Sequence, residues 1–247
     1  MVLGIISAMP EEVQSLIDAL EHVTLTEKGM RSYYHGYFKQ QELVVVFSRW
    51  GKVASAITAT QLCNDYKVSE IIFTGVSGSL DTCLEIGDIV IGTQLYQHDM
   101  DARPLFDQFE IPLLGVTSFS CKNSLALEEA AALFTRTISD YIPLKKLSEF
   151  SIQKVSVTKG LILSGDQFIS SKEKVAELKA VFPEALCVEM EGASVAQVCY
   201  EYKVPFSIIR IISDNANADA AIDFPAFTKA VACKYAKQII ENYLELI

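Results

Sequence analysis

The chain has 247 residues, half of them hydrophobic, and a net charge of −10. That is ample material for a large α/β core, and the absence of any basic cluster sets nucleic-acid binding aside. Six cysteines without a C-x-x-C pair read as reduced core thiols, and neither a signal peptide nor an uninterrupted membrane-length apolar run is present, so a soluble, cytoplasmic protein with no membrane partner is expected.

Val2 to Ser7 is an apolar run suited to a buried strand. Pro10 fits the first turn of a following helix, whose inward face is Val13, Leu16, Ile17 and Leu20. Glu12 lies at the top of that face and Glu11 on the wet side. Both acids suit a helix N-terminus, but an inward carboxylate at a strand–helix junction is also a candidate for chemistry. Met30 to Tyr37 and Glu42 to Arg49 read as two strands joined around Lys39–Gln41. Trp50-Gly51-Lys52-Val53 opens a helix carrying Val53, Ala56, Ile57 and Thr60. Ser69 to Thr74 is a strand, with Gly75-Val76-Ser77-Gly78 expected as a tight turn after it.

Gly87 to Leu95 is another strand, followed by His98, Asp99 and Asp101. Only three histidines occur, with no H-x-x-x-H spacing, so no metal site is expected. Residues 103–118 form a loop rich in apolar side chains, which must pack on something. Ser124 to Ile138 is an amphipathic helix, and Lys145 to Phe150 a connector. Val155 to Ser164 is strand material ending at Gly165-Asp166-Gln167-Phe168-Ile169. Ser171 to Phe182 is a surface helix stopped by Pro183.

Cys187 to Asn217 then reads as strand, helix, strand. Glu189 and Glu191 flank Met190 where the first strand gives way to the helix. Arg210 is a lone cation in the apolar second strand, which ends in Ser213-Asp214. Ligands of open α/β sheets bind beyond the carboxyl ends of strands, where Asp214 sits. A buried arginine needs a carboxylate, and Glu189 and Glu191 are the candidates. Phe224 leads into a C-terminal helix whose buried stripe is Phe227, Val231, Ile239 and Tyr243. No linker or repeat interrupts the strand–helix alternation, so residues 1–247 are expected to form a single α/β domain around a central mixed, largely parallel twisted sheet flanked by helices.

The segments SAMPEEV, SGDQF, VEMEGASVAQVC and IIRIISDNA together resemble the signature of the nucleoside phosphorylase superfamily, and within it the 5'-methylthioadenosine/S-adenosylhomocysteine nucleosidases. The resemblance spans nearly the whole chain. It implies that Glu12 activates the attacking water. Phe168 stacks on the purine and the Ile169 backbone reads the base edge. Glu191 holds the ribose hydroxyls, Met190 packs on the sugar face, and Phe224 covers the ribose and the 5' group. Met9, Glu189, Ser77 and Gly78 are further substrate contacts, Ser213 orients Asp214, and Arg210 stands behind the site as an anchor. Trp50 departs from the small aliphatic residue usual at its position beside the 5' pocket, and Val76 displaces the usual hydroxyl by one position. The resemblance also implies a homodimer with residues 98–115 at the subunit contact, a small-molecule nucleoside substrate, no cofactor, and a place in methionine salvage.

The chemistry fits those residues. Cleaving an N-glycosidic bond builds positive charge on the ribose and negative charge on the departing base, so an acid and a base on opposite sides of the bond suit it. Asp214 is expected to protonate adenine N7 and Glu12 to polarise water, which requires the carboxyl of Asp214 to sit above its ordinary value of about 3.9. The rival readings are a purine nucleoside phosphorylase or futalosine hydrolase of the same fold, and a non-catalytic nucleoside-binding protein. A phosphorylase needs a basic cradle, for which Arg49 and Lys52 are the main candidates.

Overall fold

The computed structural model describes residues 1–217 and 220–247. Strand β1 (Val2–Ser7) is the expected apolar run and is buried from Leu3 onward. Helix α1 (Pro10–Ile17) follows, with Val13, Leu16 and Ile17 inward as its spacing dictates. Next comes a strand that the sequence did not announce. β2 (Glu21–Lys28) is mostly polar and exposed along almost its whole length, and its one apolar alternation, Val23 and Leu25, is short and faces water. It pairs antiparallel with β3 (Arg31–Phe38), which pairs antiparallel with β4 (Gln41–Phe47). Both connections, Gly29-Met30 and Lys39-Gln40, place two successive residues at positive φ, the turn geometry that matches strand twist.

β5 (Glu70–Ser79) pairs parallel with β1 over Glu70–Phe73 on one side, and over most of its length with β10 (Phe206–Asp214) on the other. β5 therefore outlasts β1. Its freed edge at Gly78 and Ser79 takes up β9 (Ala185–Glu189), antiparallel. β9 pairs parallel with β8 (Val157–Ser164), β8 parallel with β6 (Ile89–Gln97), and β6 antiparallel with β10. The path β10–β6–β8–β9–β5 thus closes on itself, a barrel-like ring that the sequence reading did not foresee. Gly75 to Gly78 is not the expected tight turn but the end of β5, paired with Arg210 through Asp214. The glycines serve close approach rather than chain reversal. A short β7 (Ser118–Ser120) adds to β6.

Helices cover both faces of this mixed sheet. On one lie α1, α3 (Leu125–Tyr141) and α8 (Cys233–Leu246), packing Leu16, Phe134, Tyr235, Ile239 and Tyr243 against β1 and β5. On the other lie α2 (Lys52–Gln61) and α6 (Gly192–Tyr202), contributing Ala59, Val195 and Cys199. α4 (Leu144–Glu149) is a short helix where a plain connector was expected, and α5 (Lys172–Val181) is capped by Ser171 and ends before Pro183. α7 (Ala220–Phe227) runs through a π turn into α8, and the expected stripe of Phe227, Val231, Ile239 and Tyr243 is buried. On α2, Val53 and Ile57 point outward, 72% and 49% exposed, and Ser55, Thr58 and Ala59 are buried.

Candidate active site

A cleft of about 570 Å3, open mouth included, lies at the rim of the closed ring. Its wall contains all thirteen residues expected there: Met9, Glu12, Trp50, Ser77, Gly78, Phe168, Ile169, Glu189, Met190, Glu191, Ser213, Asp214 and Phe224. Ala8, Val76, Gln167 and Val188 complete it and were not foreseen.

Glu12 is buried at the start of α1, and its carboxyl folds back on the chain that precedes the helix. Oε2 accepts from the N–H groups of Ala8 at 2.9 Å and Met9 at 3.0 Å. Oε1 accepts from the N–H of Val76 on β5 at 3.0 Å. The main chain can come this close because residue 75 is glycine: a Cβ there would stand 2.9 Å from Glu12 Oε1. Burial pushes the Glu12 carboxyl up to about 7, against the pull of Arg210 and the three backbone donors. A group poised there exchanges its proton near neutrality, the range that suits a general base.

Asp214 ends β10 just past a register shift and is also buried. Ser213 Oγ lies 2.8 Å from its Oδ2, and the N–H of Ala216 donates to Oδ1 at 2.8 Å. Here too a glycine makes room, since a Cβ on Gly78 would meet Asp214 Oδ1 at 3.0 Å. Gly75 and Gly78 are three residues apart on one strand, about 10 Å of backbone, so β5 docks the two carboxyl groups at two separate points.

Arg210 finds its partner in Glu189, with Nη2 donating to Oε2 at 2.7 Å. Its guanidinium also stacks on the Phe73 ring, 4.1 Å from the centroid. Glu189 lines the cleft, but its oxygens are engaged by the protein: they also accept from Ser164 Oγ and from the N–H groups of Glu191 and Gly192. It caps the start of α6 and neutralises Arg210, which leaves no oxygen for the substrate contact expected of it. Glu191 is the acid left facing the cleft. Its Oε1 accepts from the Gly51 N–H at 2.8 Å, a contact from a distant loop that sequence spacing could not reveal. Burial first, then the charge of Glu189, holds the Glu191 carboxyl well above the ordinary carboxylate range.

At the mouth stand three aromatic rings. Phe224 meets Trp50 edge-on with centroids 6.0 Å apart, and Phe168 at 6.1 Å. Trp50 and Phe168 are 54% and 45% exposed. The two cations considered for a phosphate cradle are absent from the wall: Arg49 donates to the Met30 carbonyl and Lys52 is bound to Asp99. Among the described residues, no group of three His, Cys, Asp or Glu side chains is placed to hold a metal, and no helix is long and apolar enough to cross a membrane.

A mixed α/β sheet with an acidic, aromatic-mouthed cleft at the strand ends defines the class, and residues 2–245 match the Phosphorylase superfamily. The chain belongs to that superfamily and, within it, to the family of 5'-methylthioadenosine/S-adenosylhomocysteine nucleosidases. A nucleosidase of that name from Staphylococcus aureus (strain bovine RF122 / ET3-1) is 36% identical over 96% of both chains. The 5'-methylthioadenosine/S-adenosylhomocysteine nucleosidase of Neisseria meningitidis, solved in complex with methylthio-immucillin-A, superposes with a TM-score of 0.86 at 32% identity, over 100% of this chain and 99% of that one. Futalosine hydrolase of Helicobacter pylori strain 26695 superposes with a TM-score of 0.82 at 31% identity, over 100% and 98%.

Proposed function

We propose that the protein hydrolyses the N-glycosidic bond of 5'-methylthioadenosine and S-adenosylhomocysteine, and of 5'-deoxyadenosine, releasing adenine and the 5'-modified ribose. One observation carries this reading: the carboxyl groups of Glu12 and Asp214 open into the same cleft from opposite structural elements. The nucleosidases to which the chain is similar support the choice of substrate.

In the proposed reaction the purine stacks on Phe168 beside the Ile169 backbone, and Glu191 takes the ribose hydroxyls against the Met190 side chain. Phe224, Met9 and Trp50 surround the 5' substituent, and Ser77 and Gly78 border the sugar. Asp214 gives its proton to adenine N7 as the C1'–N9 bond breaks, so the base leaves neutral. Ser213 Oγ lies 2.8 Å from Asp214 Oδ2 and 3.3 Å from the Ser77 carbonyl oxygen. A hydroxyl between two acceptors holds either state: it donates to the ionised carboxylate, or it donates to the carbonyl and accepts from the protonated one. Glu12 takes a proton from the water that attacks C1'. Loss of positive charge on the ribose and loss of the water proton balance.

Water rather than phosphate is the proposed co-substrate, because an anion beside an ionising Glu12, with no cation among the described residues of the wall, is repelled. The test is adenine release from 5'-methylthioadenosine in buffer without phosphate. Turnover there supports a hydrolase, and a stall that phosphate relieves identifies a phosphorylase. Futalosine, assayed in the same buffer for release of its own purine base, checks the second reading that the Helicobacter structure raises.

We further propose a cytoplasmic homodimer, in which residues 1–247 act as one domain in methionine salvage. Support for the dimer comes from the outward Val53 and Ile57 of α2 and from Leu105 and Leu113, which are 83% and 93% exposed in the loop within residues 98–115.

A further inference from the structure

Three segments, two of which carry the cleft-lining residues Trp50 and Phe168, are joined by a closed cycle of hydrogen bonds. Lys52 Nζ donates to Asp99 Oδ1 at 2.6 Å. Asp99 Oδ2 accepts from the N–H of Asp166 at 2.8 Å. Asp166 Oδ1 accepts from the N–H of Lys52 at 2.8 Å, which returns the cycle to its start. The Lys52 and Asp99 side chains are only 16% exposed, and Gln97 Oε1 takes a second Lys52 N–H at 3.2 Å.

The cycle is placed where it governs the site. Lys52 follows Gly51, whose N–H holds Glu191, and is two residues after Trp50. Asp166 is two residues before Phe168. A Cβ on Gly51 would stand 3.0 Å from Asp166 Oδ1, so the two loops meet main chain to side chain with no slack. The loop carrying Phe168 leaves β8, and the loop carrying Trp50 and Gly51 enters α2. These segments are far apart in sequence and meet here through charge-assisted bonds, which hold a geometry more tightly than neutral ones.

We propose that Lys52, Asp99 and Asp166 form a clasp that fixes the separation between the Trp50–Gly51 wall and the Phe168 wall, making all three positioning residues for the ligand. The clasp touches neither the acid nor the base. Opening it moves binding surfaces that serve substrate and transition state alike, so it raises KM and spares kcat. Asp166→Asn keeps an oxygen for the Lys52 N–H and is milder than Asp166→Ala, which keeps none.

This inference rests on the proposed substrate only for its kinetic arm. Trp50 is the single tryptophan, so its fluorescence reports this wall alone. The experiment measures acrylamide quenching of Trp50, and KM and kcat with 5'-methylthioadenosine, in Lys52→Met, Asp166→Asn, Asp166→Ala and the double variant Lys52→Met/Asp166→Ala. Expected are stronger quenching, a KM raised about ten-fold with kcat within about three-fold, Asp166→Asn the mildest, and a double variant no worse than the worse single, as for residues of one network. Unchanged quenching and KM in the folded variants, or losses that add in the double variant, overturn the clasp. If Lys52→Met does not fold, the two Asp166 variants decide by their order. A wild-type protein inert on 5'-methylthioadenosine would sink the substrate reading, while the quenching series would still decide the clasp.

Discussion

Arg210, behind the cleft, and Glu189, in its wall, form an ion pair, N to O 2.7 Å, with side chains 1% and 3% exposed. Neither charge has access to water, so each depends on the other. Glu189 is further stabilised by two N–H groups at the start of α6, and the pair thereby fixes where Met190 and Glu191 begin. Replacing Glu189 by Gln leaves a buried guanidinium without a counter-charge. The expected cost is about 3–5 kcal/mol, read as a lower urea midpoint. Loss of activity should follow the loss of fold rather than precede it. A Glu189→Gln protein that is fully stable yet inactive would return Glu189 to the substrate.

Glu12 sets a pH dependence in two observables with opposite signs. Its carboxyl rises from an ordinary 4.5 to about 7 on folding, burial being the main cause. The folded chain thus holds a proton that the unfolded chain has released between those values. Stability is unaffected below about 4.5 and falls as pH climbs toward 7, by about 3 kcal/mol in all. Activity moves the other way, because a base must be ionised: kcat/KM should rise with pH through about 7. Glu12→Gln should flatten the stability profile over that window and abolish turnover. Denaturant midpoints and initial rates between pH 5 and 8.5 check both.

The parts of the site that were legible in the sequence are those whose chemistry is local. Glu12 could be placed because helix periodicity puts it on the inward face of α1. Asp214 could be placed because a nine-residue buried strand must end there. The Arg210 partner was narrowed to two acids, and the structure chose Glu189 because only it also reaches the N–H groups of α6. What could not be read were contacts between distant segments: Gly51 to Glu191, Val76 to Glu12, and the ring closure by β9 on the overhanging end of β5. The mostly polar strand β2 was missed because its alternating apolar pair, Val23 and Leu25, faces water and makes too short a pattern to mark a buried face. Gly75 and Gly78 looked like a turn because a glycine pair is the usual sign of one. Here they admit two carboxyl groups to a strand edge instead.

The outward face of α2 yields a test of assembly. Val53 and Ile57 lie one helical turn apart and both face solvent in a single copy. In a homodimer burying them, Ile57→Glu places an unpaired carboxylate in an apolar contact. The expected outcome is a dimer-to-monomer shift in analytical ultracentrifugation. The circular dichroism spectrum should not change, because the residue takes no part in the core of its own chain. If the wild-type protein sediments as a monomer, the dimer proposal fails.

Asp214→Asn separates the proposed acid from the architecture around it. The amide retains an oxygen for the Ala216 N–H and the size of the carboxyl, but it has no proton of suitable acidity to give. Turnover of 5'-methylthioadenosine should fall about a hundred- to ten-thousand-fold, with adenine binding and thermal midpoint near those of the wild type. Near-normal turnover would remove Asp214 from its role.

Gly75→Ala examines the base by steric means, leaving Glu12 in place. The new methyl would lie 2.9 Å from Glu12 Oε1 and 3.5 Å from Arg210 Nη1. Arg210 is locked by Glu189 and by the carbonyl oxygens of Phe73 and Ile209, so it cannot yield. Glu12 must move, and the bond it accepts from Val76 is the one that stretches. A carboxylate that loses a backbone donor while staying buried is a stronger base and harder to ionise. The low-pH limb of kcat/KM should therefore shift to higher pH in Gly75→Ala, together with a fall in kcat of ten-fold or more, on the order expected of a displaced general base. Gly78→Ala pushes on Asp214 instead and should leave that limb where it is. If the two alanine variants shift the same limb equally, the acid and the base are not separately held by these glycines.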